Sequence, residues 1–436
     1  MFNQFLLSYP DLVAKMSEVY MNSIKLISFY NSIYLKGFQD TIEDAEGQTQ
    51  DSFYNRWLKQ MDRELDSELR SDKSTLLLAE YVDSLVELRS VFRKAGFPVE
   101  YLDRMFDSYV HGMMVFSSIP RDYRLAPFDV VHVRGKCRLL HYRPSEKTGG
   151  KPLLIVYAPI NRFHIMDLTP EKSVVRELLS KGLDVYLLDW GYPTGDDDNL
   201  SLEDYITYVR DAVLLIKEAS KSSVSILGYC WGGIMALIYA ALYSGDVKSL
   251  ALMATPVDFS KDHSILATWA RAIDSDKIID EFRHMDGQVL DLGFIMRNPP
   301  RYAFDKYIKF FQKMNDRHFV DIFLAVEKWL YETPPIPGNL YRQIINDCYK
   351  GNLLIQNKMM VGGKQVDLKK VDVPLLTVVA QRDDLVSPES TLAANDYVSS
   401  KDKTSLQAPS GHVGLCISSH AHEKLWPEAA RWFLLK

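Results

Sequence analysis

The segment Ile226–Ile234 constrains the fold more than any other part of the chain, and it has the sequence Ile-Leu-Gly-Tyr-Cys-Trp-Gly-Gly-Ile. Apolar residues lead into it, and a second apolar run follows it to residue 243. Because Gly228 and Gly232 lack a Cβ, the backbone around Cys230 can turn sharply enough to expose the thiol. The pattern predicts a strand, a tight turn and a helix whose N-terminus favours a thiolate. Small residues also open buried helices that have no catalytic role, so this segment alone leaves both interpretations open.

The segments on either side of this turn alternate between short apolar runs and helical patterns. Strands are predicted around Val130 and Leu139, at 153–157, at 184–189, just before Cys230, at 251–254 and at 374–380. Helices are predicted at 173–181, at 202–219, directly after Cys230 and at the C-terminus. Such alternation is typical of an α/β fold, a doubly wound parallel sheet that binds ligands at the carboxyl ends of its strands.

Two regions depart from that rhythm. Residues 1–115 carry apolar positions every three or four residues, which predicts a helical region for docking or dimerisation. Residues 260–350 are rich in aromatic side chains and interrupt the sheet pattern. This insertion either packs a core of its own or forms a lid over the cleft, and we favour the lid. The domains expected are therefore 1–115 and a catalytic domain at 116–436 that contains the cap insertion.

Composition excludes several classes of function. The net charge of −6 gives no reason to expect nucleic-acid binding. The four cysteines have no C-x-x-C spacing, which argues against a zinc site or a disulfide framework. No apolar run reaches the roughly 20 residues that a transmembrane helix requires, and the N-terminus lacks the basic start of a signal peptide. We therefore expect a reduced, cytoplasmic protein with no metal and no bound cofactor.

A base and an acid follow the cysteine in the chain order that such a nucleophile requires. His412 comes after Ser-Gly and just before the terminal helix, and two aspartates follow the strand at 374–380. Asp383 is a rival for the acid, but the D-x-x-x-P spacing to Pro388 favours Asp384. His412 would then take the proton of Cys230, and Asp384 would fix the imidazole tautomer. The oxyanion would be stabilised by the backbone N–H of Trp231 and one N–H from the loop at Ile160–Asn161, assigned here to Ile160.

Several motifs occur together and in order across residues 125–436. They are Ala158–Arg162 with Met166–Pro170, Asp184–Gly191, Gly228–Gly233, Thr255–Phe259, Asn352–Leu368, Arg382–Pro388 and Ser410–Val413. In this respect the chain resembles the polyhydroxyalkanoate synthases, particularly the class III and class IV catalytic subunits. The resemblance implies an α/β-hydrolase fold with a mobile cap. It has two departures, Leu385 in place of the histidine that usually follows the acid, and Trp231 beside the nucleophile.

The resemblance also implies an activity. The family polymerises (R)-3-hydroxyacyl-CoA, typically 3-hydroxybutyryl-CoA, and releases CoA while the polyester grows from the cysteine. On this chain Cys230 would carry the acyl group, His412 would activate it, and Asp384 would be the acid, which is often proposed in the family to help activate the 3-hydroxyl. CoA would be part of the substrate, and no separate cofactor is implied.

The resemblance has consequences for partners and location. Family members dimerise when active and work at the surface of polyester granules in the cytoplasm. The stretches Leu69–Ser71 and Tyr81–Pro98 look like the helical partner subunit of class III synthases, so a partner-like region fused to the catalytic domain is one hypothesis. A separate second subunit or granule proteins are the others.

Two other functions remain open. One is a cysteine-dependent acyl-CoA thioesterase or related hydrolase on the same fold, which would yield only the free acid. The other is a non-catalytic scaffold on the granule surface, favoured by the amphipathic N-terminal helices.

Overall fold

The computed structural model describes residues 123–143, 150–297, 302 and 306–436, and a few isolated helical positions between residues 14 and 94. Two compact units are present, one formed by residues 1–119 with 309–320 and the other by residues 120–308 with 321–436. Most of the predicted helical region at 1–115 lies outside the described residues. That region and the domain boundary near residue 115 therefore stay predictions, and the second unit is described below.

The second unit contains an eight-stranded sheet that is mostly parallel. Its strands are β1 Phe128–Arg134, β2 Cys137–Tyr142, β3 Lys151–Val156, β4 Leu183–Asp189, β5 Val224–Tyr229, β6 Val247–Met253, β7 Leu375–Ala380 and β8 Lys403–Ala408. Across the sheet they lie in the order β1-β2-β4-β3-β5-β6-β7-β8. Strand β2 pairs antiparallel with β1 and β4, and the other pairs are parallel. This sheet confirms the predicted α/β fold class.

Helices connect and flank these strands. The α-helices described after residue 120 are α1 Val174–Ser180, α2 Leu202–Ser220, α3 Trp231–Leu242, α4 Ile265–Ala272, α5 Ser275–Phe282, α6 Gly287–Met296, α7 Lys306–Lys313, α8 Arg317–Leu330, α9 Gly338–Gln343, α10 Pro388–Leu392, α11 Ala394–Tyr397, α12 Gly414–Ile417 and α13 Trp426–Leu435. Residues 309–320, in α7 and α8, belong to the first unit. Residues 344–350 and 421–425 form π-helical turns. Short two-stranded pairs join Asp167–Thr169 to Lys172–Ser173, His284–Met285 to Ile336–Pro337, and Met360–Val361 to Lys364–Gln365.

The central strands are buried because helices cover both faces of the sheet. Every residue of β5 and β7 is buried, as is every residue of β3 except Lys151. Parallel strands that are covered on both faces have sequences of continuous apolar residues. Their positions could therefore be predicted from the sequence. Helix α3 is buried on nearly all sides, so the turn that precedes it is attached to a helix in the core of the protein.

One strand of the eight-stranded sheet was not predicted. Strand β8 pairs with β7 alone and forms the edge of the sheet, and only two of its six residues are buried. Such a strand needs few apolar residues, so its sequence gives little signal.

The insertion between β6 and β7 is helical, as predicted. Helices α4 to α9 lie between the two strands, and residues 260–350 are called the cap below. Its use as a lid stays a prediction.

Candidate active site

The turn at Cys230 has the predicted strand–turn–helix geometry. Cys230 lies between β5 and α3 with φ 55° and ψ −126°, a strained conformation for a residue with a Cβ. Its backbone N–H donates to the Met253 carbonyl at 2.9 Å, and its carbonyl accepts from the Gly233 N–H at 2.9 Å. These two bonds hold the strained residue between the sheet and the first turn of the helix. The thiol is consequently presented at the carboxyl ends of the strands.

Gly232 allows the first turn of α3 to lie directly against the end of β3. A Cβ at this position would overlap the carbonyl oxygens of Val156 and Tyr157. Because these are backbone atoms, the overlap cannot be relieved by a side-chain rotation. The small residue is therefore needed for packing at the site.

Substitution of Gly232 by alanine is expected to destabilise the protein by about 1–3 kcal/mol, the usual cost of overpacking a rigid site. The matched control is Gly245→Ala, where an added Cβ meets no atom within 4 Å. Denaturant unfolding of both variants measures the difference. Equal stability of the two variants would contradict the close approach.

His412 bonds to Asp383. The imidazole Nδ1 and the Asp383 carboxylate oxygen Oδ2 are 2.8 Å apart, and the two side chains are 7% and 1% exposed. The other oxygen of Asp383 accepts the backbone N–H groups of Leu385 at 2.9 Å and Val386 at 3.0 Å. The prediction that Asp384 is the carboxylate paired with His412 is therefore wrong in this structure, because the loop turns Asp383 inward.

The surroundings of His412 favour its protonated form. Burial by itself lowers the pKa, but the negative charges of Asp383 and Cys230 and hydrogen bonds to both outweigh it and raise the pKa of His412 to about 10. The ring of Tyr229 stacks on the imidazole with the two centroids 5.0 Å apart. His412 is therefore placed to exchange a proton with the thiol of Cys230.

Asp384 faces the cap instead. Its carboxylate lies 2.5 Å from the Arg297 guanidinium and 2.5 Å from the Tyr302 hydroxyl, which donates to it. The guanidinium also stacks over the Tyr302 ring at 4.0 Å. Residue 297 follows directly after α6, so Asp384 joins the loop after β7 to the cap. Local spacing does not indicate this contact, because the partners are more than 80 positions apart in the chain.

The predicted oxyanion donors lie at the expected elements. Trp231 is the first residue of α3, and the N–H groups of a first helical turn have no carbonyl partner within the helix. Ile160 lies in the loop after β3, next to Asn161, which has φ 62°. The contact of Gly232 with the end of β3 brings the beginning of that loop next to the turn. The role of Trp231 and Ile160 as donors stays a prediction.

Cys230 differs from the other three cysteines of the chain. Cys137, Cys348 and Cys416 are buried, whereas Cys230 is partly exposed. Burial raises the pKa of Cys416 to about 12 and that of Cys137 and Cys348 further. The three buried thiols are therefore inert at neutral pH.

The described part of the chain lacks a metal site and a membrane-spanning helix. No cluster of three or more histidine, cysteine, aspartate or glutamate side chains there could hold a metal ion. None of the helices described is long and apolar enough to cross a bilayer.

Two models of protein families match the chain. Residues 162–415, more than half of the chain, match the family described as the alpha/beta hydrolase fold. Residues 115–178 match the family described as the N-terminus of poly-beta-hydroxybutyrate polymerase (PhaC).

Curated relatives of the chain are named as poly(3-hydroxyalkanoate) polymerases or their subunit PhaC. The poly(3-hydroxyalkanoate) polymerase subunit PhaC of Haloferax mediterranei is 39% identical over 312 residues, which cover 70% of this chain and 63% of that protein. The proteins of the same name from Thiocystis violacea and Synechocystis sp. are both 36% identical; the alignments cover 71% and 70% of this chain and 89% and 84% of theirs. The chain thus spans less than two thirds of the Haloferax protein and most of the other two.

Two of the solved structures with a similar backbone are lipases. A soluble variant of monoglyceride lipase from Saccharomyces cerevisiae has a TM-score of 0.48 and 11% identity, and the match covers 72% of this chain and 97% of that chain. The monoacylglycerol lipase of Paleococcus ferrophilus has a TM-score of 0.44 and 14% identity, with 66% and 96% covered.

Proposed function

Because the chain belongs to the poly(3-hydroxyalkanoate) polymerase family, we propose that it converts (R)-3-hydroxyacyl-CoA into a polyester and releases CoA. One observation carries the proposal at the level of the site. A partly exposed cysteine in a strained turn is within hydrogen-bond reach of a buried histidine that is bonded to a buried aspartate. This arrangement suits acyl transfer through a covalent acyl-cysteine.

In the first step Cys230 takes the acyl group from CoA. The thiolate, paired with the imidazolium of His412, attacks the thioester carbonyl, and the oxyanion is stabilised by the N–H groups of Trp231 and Ile160. The bond from the carbonyl carbon to the CoA sulfur then breaks, and the leaving thiolate takes the proton of His412. One thioester replaces another, so the acyl group remains activated on the enzyme.

In the second step an alcohol replaces the cysteine. The 3-hydroxyl of another acyl group attacks the acyl-cysteine carbonyl while His412 takes its proton, now acting as the base. An ester bond forms, the bond to Cys230 breaks, and the thiolate is regenerated. Asp383 holds the imidazole orientation in both steps. Asp384 is a weaker candidate for the base because its carboxylate is bound by the Arg297 guanidinium and the Tyr302 hydroxyl on the cap.

The substrate is proposed to be short-chain, with 3-hydroxybutyryl-CoA as the first choice. The family whose model matches residues 115–178 is described as a polymerase of beta-hydroxybutyrate, and this description supports the choice. No cofactor is required in the proposed reaction, because CoA enters and leaves as part of the substrate.

The partners follow from the product and from the relatives. A growing polyester would form a granule, and the enzyme would work at its surface in the cytoplasm as a homodimer. The relatives are named as subunits, which supports a second synthase subunit or granule proteins as further partners. Residues 1–114 lie outside both matching family models, in keeping with a partner-like region fused to the catalytic domain.

Incubation of the full chain with (R)-3-hydroxybutyryl-CoA is expected to release CoA and to give polyester of high mass. The measurements are thiol release over time and the size distribution of the product. Release of CoA with monomeric 3-hydroxybutyrate as the product would identify a thioesterase and contradict the proposal. Absence of release, with or without added granules, would favour the scaffold.

A further inference from the structure

The side chain of Asn161 connects the loop after β3 to the cap. Its amide nitrogen is 3.3 Å and 3.1 Å from the carbonyl oxygens of Trp329 and Leu330, and 2.6 Å from the hydroxyl oxygen of Thr333. Trp329 and Leu330 are the last two residues of α8, whose terminal carbonyls have no partner within the helix. Asn161 is 6% exposed, so these contacts are shielded from water.

A second contact fixes the same loop from the other direction. The indole N–H of Trp329 donates to the carbonyl of Arg162 at 2.6 Å. The loop therefore donates to the end of α8 through the Asn161 side chain and accepts from it through the next backbone carbonyl. One bond is donated by the side chain of Asn161 and the other is accepted by the carbonyl of Arg162. Together they restrain the orientation of the peptide group that joins these two residues.

The segment after α8 is itself held against α6. The Thr333 hydroxyl donates to the carboxylate of Asp291 at 2.5 Å, and a Cβ at Gly287 would overlap the Thr333 carbonyl. Burial raises the pKa of Asp291 to about 7, although the bond from Thr333 opposes the shift. Asn161 thus reaches α6 through one intermediate hydroxyl.

Helix α6 is also linked to the loop after β7, which carries Asp383 and Asp384. Arg297, directly after its end, pairs with Asp384, whose neighbour Asp383 bonds to His412. The helix has ten residues and is about 15 Å long. One cap helix therefore connects two loops. Asp291, in the middle of the helix, is linked through Thr333 to the loop that carries the predicted oxyanion donor, and Arg297, directly after its end, pairs with the loop that carries the acid.

We propose that Asn161 is a positioning residue for acyl transfer. Its bonds to Trp329, Leu330 and Thr333 of the cap orient the backbone N–H of Ile160 toward the oxyanion. The proposal rests on the proposed acyl transfer at Cys230. It makes the stabilisation of the oxyanion dependent on the position of the cap, whereas the nucleophile itself depends on the sheet.

Two reactions of Cys230 separate the stabilisation of the oxyanion from the reactivity of the nucleophile. Acetylation by p-nitrophenyl acetate passes through a tetrahedral oxyanion and gives a burst of p-nitrophenolate of one per chain. Alkylation by iodoacetamide is a displacement at a saturated carbon that forms no oxyanion. Asn161→Gly removes the side chain and tolerates the positive φ, and Thr333→Val removes the hydroxyl. Thr333→Ser restores it, and Asn339→Ala removes another cap amide, which donates to the Asn199 carbonyl at 3.0 Å.

Acetylation is expected to slow about 10- to 100-fold in Asn161→Gly, with a smaller loss in Thr333→Val that Thr333→Ser recovers, because a small displacement of an oxyanion donor has effects of this size. Alkylation should stay within about twofold of the wild-type rate, and Asn339→Ala should match wild type in both reactions. Unchanged acetylation in Asn161→Gly and Thr333→Val would overturn the proposal. So would an equal loss of both reactions, which would indicate a purely structural role.

Failure of the proposed function gives a different result. A wild-type chain that is acetylated by the ester but makes no polymer from the CoA thioester contradicts polymerase activity, and the test of Asn161 remains valid. A wild-type chain that is not acetylated at Cys230 overturns both.

Discussion

Replacing Cys230 by serine is expected to lower the release of CoA from (R)-3-hydroxybutyryl-CoA by at least about 10⁴-fold. The serine hydroxyl fits the same strained turn, so the fold should be kept. A hydroxyl does not ionise next to the imidazolium of His412 as a thiol does, and transfer from a thioester to it forms an oxygen ester that is less activated for elongation. Thiol release and product size measure both consequences.

The matched control is Cys137→Ser, which makes the same change of atom at a buried thiol in β2. It should lose some stability and keep CoA release within about twofold of wild type. Polymer formation by Cys230→Ser at a rate near that of wild type would place the growing chain on another residue. Equal loss in the two variants would show that the effect comes from the fold and not from the nucleophile.

The strands that carry the site were predictable because of their environment. Strands β3, β5 and β7 lie in the interior of the sheet under helices on both sides, so their sequences are continuous apolar runs with sharp ends. The turn at Cys230 was predictable for a related reason, because glycine is required where backbones approach closely. The edge strand β8 has no such constraint, and its pattern was too polar to be recognised.

The identity of the acid could not be predicted in the same way. Asp383 and Asp384 are adjacent and both follow β7, so their position in the chain barely separates them. What separates them is the direction of each side chain, which is set by the bonds of Asp383 to the N–H groups of Leu385 and Val386. Arg297, the partner of Asp384 on the cap, is far away in sequence, so the local sequence around Asp384 does not indicate the contact.

Substitution of Asp383 by asparagine is expected to lower the rate of CoA release by about 10²–10⁴-fold, since an amide in this position disturbs the tautomer and the charge of the histidine. The carboxylate of Asp383 raises the pKa of His412, so its removal lowers that pKa and weakens the imidazolium that stabilises the Cys230 thiolate. Alkylation of Cys230 by iodoacetamide at neutral pH should therefore slow as well. Rates of CoA release and of alkylation, measured on the same preparation, test both effects.

The neighbouring variant Asp384→Asn is the matched control, one residue away and with the same change of charge. It leaves the bond from His412 to Asp383 intact and removes the charge that pairs with Arg297 on the cap. Alkylation should then keep its wild-type rate, and CoA release should fall less than about tenfold, through a cap that is held less firmly. If Asp384→Asn instead loses alkylation and acyl transfer while Asp383→Asn keeps them, Asp384 is the acid in solution. The loop would then have to turn the other carboxylate toward His412 and release Arg297, so the cap would have to move before the site becomes active.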